Sequence, residues 1–180
     1  MKHFLIVVDM QKDFVDGALG TKEAVAIVPD VAGKIADFEG EIFATFDTHF
    51  ENYMQTAEGQ KLPVPHCIKG TEGWALDKTV AAALEKKGYT PVEKLTFGSV
   101  DLPKMLKKAA GDEDFTIELI GLCTDICVVS NALLLKASFP EVAIAVDSAC
   151  CAGVTPEKHM AALETMRSCQ IEVKRGDHDV

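Results

Sequence analysis

Several features are missing from this chain, and each absence closes off a class of function. No apolar run approaches the roughly 20 residues of a membrane helix. The first such run, Phe4–Val8, stops at Asp9, too short even for the apolar core of a secretory signal. A cytoplasmic location is therefore expected. No two cysteines stand in CxxC spacing, which argues against a zinc ribbon or a thioredoxin-like centre. Without an export signal, the six cysteines are expected to be thiols. Positive charge is scarce. Lys and Arg number 18 against 28 Asp and Glu, and the net charge of −10 argues against nucleic acid or an anionic membrane as partner. Glycine-rich phosphate loops are absent, so no nucleotide cofactor is implied. Repeats, low-complexity tracts and domain linkers are absent too.

What remains is an ordinary globular composition, 48% hydrophobic and 26% charged, in a length that suits one domain over residues 1–180. Short apolar segments at Phe4–Val8, Ile42–Phe46, Tyr89–Val92, Phe115–Ile120, Val142–Val146 and Gln170–Val173 read as buried strands. Between them Val28–Phe38, Leu76–Lys87, Val100–Ala109, Asp125–Ser138 and Pro156–Ser168 carry helical spacing or composition, the last opened by Thr155 and Pro156 as cap and first residue. Unbroken apolar strands alternating with helices predict an α/β fold, with a parallel sheet covered on both faces. Ligands in such folds sit beyond the carboxyl ends of the strands, where strand order reverses. The long irregular stretch Thr48–Gly73 exceeds a simple connection, which points to a functional loop.

Reactive side chains gather at the predicted strand ends. Asp9 closes the first strand, and a carboxylate there is costly to leave unpaired. Lys94 closes the third. Cys127 falls in the first turn of a helix, where the dipole and unpaired N–H groups favour a thiolate, and Cys123 in the preceding turn competes for the nucleophile role. Asp47 and His49 stand two apart after the second strand, and His66 follows in PVPHC. Extended chain would point Asp47 and His49 the same way, so these three could grip one ion with an open coordination position. The alternative is a carboxylate capping a turn beside a hydrogen-bonded histidine. Glu58 in the same loop is a candidate fourth ligand or a surface glutamate, and Trp74 a pocket wall or a core plug.

Taken together, DMQKDF (Asp9–Phe14), DTH (Asp47–His49), PHCIKGTEG (Pro65–Gly73), KLTFGS (Lys94–Ser99) and GLCTDICV (Gly121–Val128) resemble the isochorismatase-like cysteine hydrolases, and within them the nicotinamidase branch. The resemblance implies a three-layer α/β/α fold whose six-stranded parallel sheet has the order 3-2-1-4-5-6. It implies a catalytic triad of Asp9, Lys94 and Cys127, and a cis peptide at Leu122–Cys123 that sets the amides of Cys123 and Cys127 side by side as an oxyanion hole. It implies a divalent metal, zinc first with iron or manganese as alternatives, on Asp47, His49 and His66, with Glu58 near a fourth position. The activity implied is hydrolysis of a small primary amide, nicotinamide first, in a homo-oligomer. A metal-free relative acting on another amide, carbamoyl or vinyl-ether substrate is the alternative, and a binding protein on the same fold a more distant one. Two departures bear on substrate. Pro63 stands where nicotinamidases carry a ring-stacking aromatic, which leaves Phe14 and Trp74 as candidate walls, and the segment after Lys94 is short.

Overall fold

The computed structural model describes residues 1–174, so the last six residues of the expected 1–180 domain lie outside it. Six strands form one sheet: β1 (Lys2–Val8), β2 (Glu41–Asp47), β3 (Thr90–Lys94), β4 (Phe115–Leu122), β5 (Ile144–Ala152) and β6 (Glu172–Lys174). Every pairing is parallel and the order is β3-β2-β1-β4-β5-β6, as the resemblance implied. Between strands run α1 (Lys12–Val15), α2 (Lys22–Ala26), α3 (Val28–Asp37), α4 (Ala57–Lys61), α5 (Lys78–Lys87), α6 (Leu102–Ala110), α7 (Val129–Ser138) and α8 (Pro156–Ser168). Among the described residues no helix is long and apolar enough to cross a membrane.

Period-two alternation along β1 divides the core in two. Phe4, Ile6 and Val8 join one apolar cluster, with residues of α6, α7 and α8, while Leu5 and Val7 join another with residues of α3 and α5. Fully buried strands need apolar residues on both faces, which is why these segments read as unbroken runs. Helix starts follow local chemistry. The Asp77 carboxylate accepts the Thr79 and Val80 amides ahead of α5, and the Thr155 hydroxyl accepts the Lys158 amide ahead of α8, with Pro156 behind it. At Gly121 the φ of 115° and the close approach of Val8 backbone leave no room for a side chain.

The differences from expectation are local. β5 continues six residues beyond Val146, to Ala152, so Cys150 and Cys151 lie within it rather than after it. The stretch Thr48–Gly73 is not wholly irregular: it holds a 3₁₀ turn at Tyr53–Gln55 and the short helix α4. The helix expected from Asp125 begins as a π-type turn, Thr124–Val128, before α7 proper.

Candidate active site

Strand β1 ends at Val8, and the chain turns sharply at Asp9 with φ of 47°, an uncommon conformation for a side-chain-bearing residue. Such a turn persists where its surroundings over-determine it. Here the Asp9 amide reaches both the carbonyl and the Oγ1 of Thr45 at 3.2 Å, and the Thr45 hydroxyl donates to Asp9 Oδ1 at 2.6 Å. The carboxylate is fully buried. Parallel register sets Asp47, the last residue of β2, beside Lys94, the last of β3. Lys94 Nζ lies 2.7 Å from Asp9 Oδ2, 3.1 Å from Asp47 Oδ1 and 3.4 Å from Cys127 Sγ. Cys127 comes from the π-type turn after β4, whose entry peptide Leu122–Cys123 is cis. Three residues expected at separate strand ends thus converge on one ammonium group.

Their charge states are set by opposing effects. Burial alone would lower the Lys94 pKa, but the charges of Asp9, Cys127 and Asp47 hold it above the ordinary lysine value. Burial raises Asp9, with Lys94 opposing. Burial also pushes the Cys127 thiol well up, helped by the Asp9 charge and opposed by Lys94. The helix start expected to favour a thiolate is thus opposed by desolvation and by a neighbouring carboxylate, both of which favour the protonated thiol. Asp9 Oδ2 touches Lys94 yet has no well-aligned hydrogen bond, so it retains acceptor capacity for that proton.

The second group is assembled by a loop laid along the end of β2. The His49 amide donates to the Cys67 carbonyl at 3.0 Å and the Lys69 amide to the His49 carbonyl at 2.9 Å, which brings the His66 segment alongside. Helix α4, capped by Thr56 on the Gly59 amide, presents Glu58 from the third side. His66 Nδ1 is 2.8 Å from the Val64 carbonyl, which can only accept, so Nδ1 carries the proton and Nε2 keeps its lone pair. From His49 Nε2 the distances are 3.0 Å to Asp47 Oδ2 and 3.7 Å to Glu58 Oε1. From His66 Nε2 they are 3.6 and 3.7 Å to the same atoms. Ligands about 2.1 Å from a tetrahedral ion lie about 3.4 Å apart, so two nitrogens and two carboxylates at this spacing fit one divalent ion of the zinc, iron or manganese kind. Burial alone would raise the Asp47 carboxyl, but the His49 hydrogen bond, the close approach of His66 and the Lys94 charge hold it well below the usual range.

Both groups open into one cavity of about 580 Å³, reached by Asp47, Glu58 and His66 on one side of the chemistry and by Cys123 and Cys127 on the other. Phe14 lines it as expected, its ring 5.4 Å from that of His66. Trp74 does not. Its ring packs on Phe46 at 5.4 Å and its Nε1 donates to Thr48 Oγ1, so of the two readings it is the core plug, backing the β2 end. The aromatic that does reach the cavity is Phe97, on the shortened segment after Lys94. Gln11 also escaped the sequence reading. Fully buried, it donates from Nε2 to the Asp47 carbonyl at 2.9 Å and accepts the Asp47 amide at 2.7 Å. A glutamine inside DMQKDF gave no signal of that clamp, whereas Phe97 was visible as the only ring in its loop.

Comparison with known proteins agrees with the fold. The isochorismatase domain model matches residues 3–177. The nicotinamidase/pyrazinamidase of Mycobacterium tuberculosis (strain ATCC 25618 / H37Rv) is 28% identical over 185 residues, covering 94% of this chain and 96% of that protein. The crystal structure of nicotinamidase/pyrazinamidase PncA from Bacillus subtilis superposes with a TM-score of 0.83 at 28% identity, over 97% of this chain and 100% of that one. Pyrazinamidase of Pyrococcus horikoshii, in complex with zinc, gives 0.78 at 26% identity, over 98% and 100%.

Proposed function

Since the chain belongs to the isochorismatase domain family, we propose that it is a cysteine amidase that hydrolyses nicotinamide to nicotinate and ammonia. The observation that carries this reading is the single ammonium of Lys94, in contact with Asp9, Asp47 and Cys127, of which Asp47 and Cys127 line the cavity.

In this mechanism Asp9 takes the proton of Cys127 and becomes neutral, and Lys94, 3.4 Å from the sulfur, stabilises the resulting thiolate. The thiolate attacks the amide carbonyl, and the backbone N–H groups of Cys123 and Cys127 hold the oxyanion, each such donor worth about 3–4 kcal/mol of barrier. Collapse of the tetrahedral adduct expels ammonia, protonated on departure by Asp9, and leaves a thioester on Cys127. Asp9 then takes a proton from water as it attacks the thioester. The acid leaves, and the proton returns to the Cys127 sulfur.

Asp47, His49 and His66, with Glu58 as fourth ligand, would hold one divalent metal, zinc first. When bound, that ion supplies a Lewis acid suited to a ring nitrogen. Phe14 and Phe97 offer apolar faces to the ring. The proposal carries with it the expected cytoplasmic location and homo-oligomeric state, and light scattering of the purified protein reads the latter.

Ammonia release from nicotinamide, pyrazinamide and an aliphatic amide of similar size, with and without chelator, tests the reading. It expects turnover of the two ring amides, and loss of it with chelator. Good turnover of the aliphatic amide with none of nicotinamide would leave a general cysteine amidase and remove the nicotinamidase.

A further inference from the structure

Asn131 stands one turn beyond Cys127 in α7 and is fully buried. Its amide is shared between two parts of the site. Nδ2 donates to the Cys127 carbonyl at 2.8 Å and to the Phe97 carbonyl at 3.2 Å, while Oδ1 accepts the Ser99 amide at 2.9 Å. The first bond stays within the helical turn. The other two leave the helix and grip the loop that follows β3, on both sides of Gly98.

The ends of that loop are held as well, by the Thr48 amide on the Lys94 carbonyl at 3.0 Å and by the Leu102 amide on Ser99 Oγ at 3.2 Å, but its middle has few other anchors. The Thr96 hydroxyl turns inward to the Gly98 carbonyl at 2.6 Å, and Leu95 and Phe97 remain 66% and 46% exposed. Gly98 rests on the Ser130 backbone, where a Cβ would approach within 3.2 Å, so the loop lies flat against α7. Phe97 nevertheless lines the same cavity as Cys127. A half-exposed ring on a short loop stays in a fixed place only if its backbone is tied down, and a buried amide with three contacts is such a tie.

We propose that Asn131 is a positioning residue that holds Phe97 in register with the Cys127 turn, and that Phe97 is thereby a specificity-determining wall for planar amides. The inference rests on the amidase reading above. The turn-side bond of Asn131 orients the nucleophile's carbonyl, and the loop-side bonds place the ring.

The two roles separate by substitution. In Asn131→Thr the hydroxyl can still bond the carbonyl four residues back, at Cys127, but is too short to reach the loop. Asn131→Ala loses both. Phe97→Ala should raise KM for nicotinamide about 2- to 12-fold, the range of one lost aromatic contact. Asn131→Thr should raise KM by a similar factor, with a smaller fall in kcat than Asn131→Ala. Adding Phe97→Ala to Asn131→Thr should raise KM little further. Independent, multiplying effects on KM would overturn the proposal, as would an unchanged KM in Asn131→Thr.

A readout free of turnover separates this inference from the amidase reading. The rate at which Cys127 is alkylated by 3-(bromoacetyl)pyridine, relative to iodoacetamide, should fall in Phe97→Ala and Asn131→Thr alike. If nicotinamide is not hydrolysed yet this ratio falls, the amidase reading fails and the positioning role stands. If nicotinamide is hydrolysed and the ratio is unmoved, the positioning role fails. Phe97→Ala changes only a half-exposed loop residue, so its ratio remains readable even if α7 does not tolerate a change at Asn131, and an unmoved ratio there overturns the proposal.

Discussion

Asp9 and Glu118 are both carboxylates on neighbouring central strands, and both are held by lysine, yet their surroundings are opposite. Asp9 lies at the carboxyl end of its strand, at the point where strand order reverses, with side-chain exposure of 0% for itself and for Lys94. Glu118 sits mid-strand in β4, paired with Lys34 of α3 and with Lys174 of β6 at 2.6 Å, while Lys34 also meets Asp147 of β5 at 3.0 Å. Side-chain exposures there run from 11% for Glu118 to 42% for Lys174. Burial raises the Asp9 pKa despite Lys94, whereas hydrogen bonds from Lys174 and Lys34 overcome burial and lower that of Glu118. A lysine–carboxylate cluster alone is therefore no sign of catalysis. What distinguishes the first is its dryness, the sulfur of Cys127 at 3.4 Å and the cavity beside it.

The carboxylates of Asp9 and Glu118 should also respond to pH with opposite signs. An acid whose folded pKa is raised takes stability away as pH rises, because ionising it is harder in the fold than in the open chain. For Glu118 the folded value is lowered, so its contribution is present above the ordinary value of 4.5 and is lost as pH falls through the folded value.

Substitutions sharpen the contrast, and the largest effect falls on the first cluster. Cys127→Ala should bring ammonia release to background while Cys123→Ala retains measurable turnover. Asp9→Asn should lower kcat by about 10²–10⁴-fold, the range of a lost general acid–base. At the metal group, His49→Ala should reduce bound zinc, iron or manganese from about one equivalent per chain to little, measured by elemental analysis. Retention of stoichiometric metal in a His49→Ala, His66→Ala double variant would mean the ion sits elsewhere. The smallest effect belongs to the second cluster. Glu118→Gln should cost about 1–2 kcal/mol in urea unfolding at pH 7, since its lysines keep some contact with water. That difference should shrink as pH falls from the ordinary value of 4.5 through the lowered folded one, with kcat/KM for nicotinamide at pH 7 equal to that of the unsubstituted protein. A loss of activity in Glu118→Gln as large as in Asp9→Asn would erase the distinction.

Much of the fold and of the first cluster was legible in the sequence, for physical reasons, while the Glu118 cluster was not. Strands buried on both faces must be apolar along their length, so β1, β2 and β4 stood out. β5 did not stand out in full, because beyond Val146 it continues through Asp147 and Ser148, whose side chains find partners in Lys34 and in the Lys174 carbonyl. Asp9, Lys94 and Cys127 were visible as reactive groups at strand ends, but their convergence depends on the register of β2 with β3 and on the turn at Asp9, which no periodicity encodes. The metal group showed as D-x-H and PHC. Glu58 gained its place only through α4, a single capped helix too short to register as a pattern. Trp74 misled because a large ring near a loop suits a core plug as well as a pocket wall. Asn131 acts through a loop backbone, which no side-chain pattern reveals, and Phe97 showed as a ring whose position only that backbone decides.

The central claim is that Cys127 carries the acyl group during turnover. Acid-quenching the enzyme while it turns over nicotinamide, then mapping peptides by mass spectrometry, should find a nicotinoyl thioester on the peptide containing Cys127 and none in Cys127→Ala. Continued ammonia release by Cys127→Ala, or an adduct on Cys123, Cys150 or Cys151 instead, would contradict it.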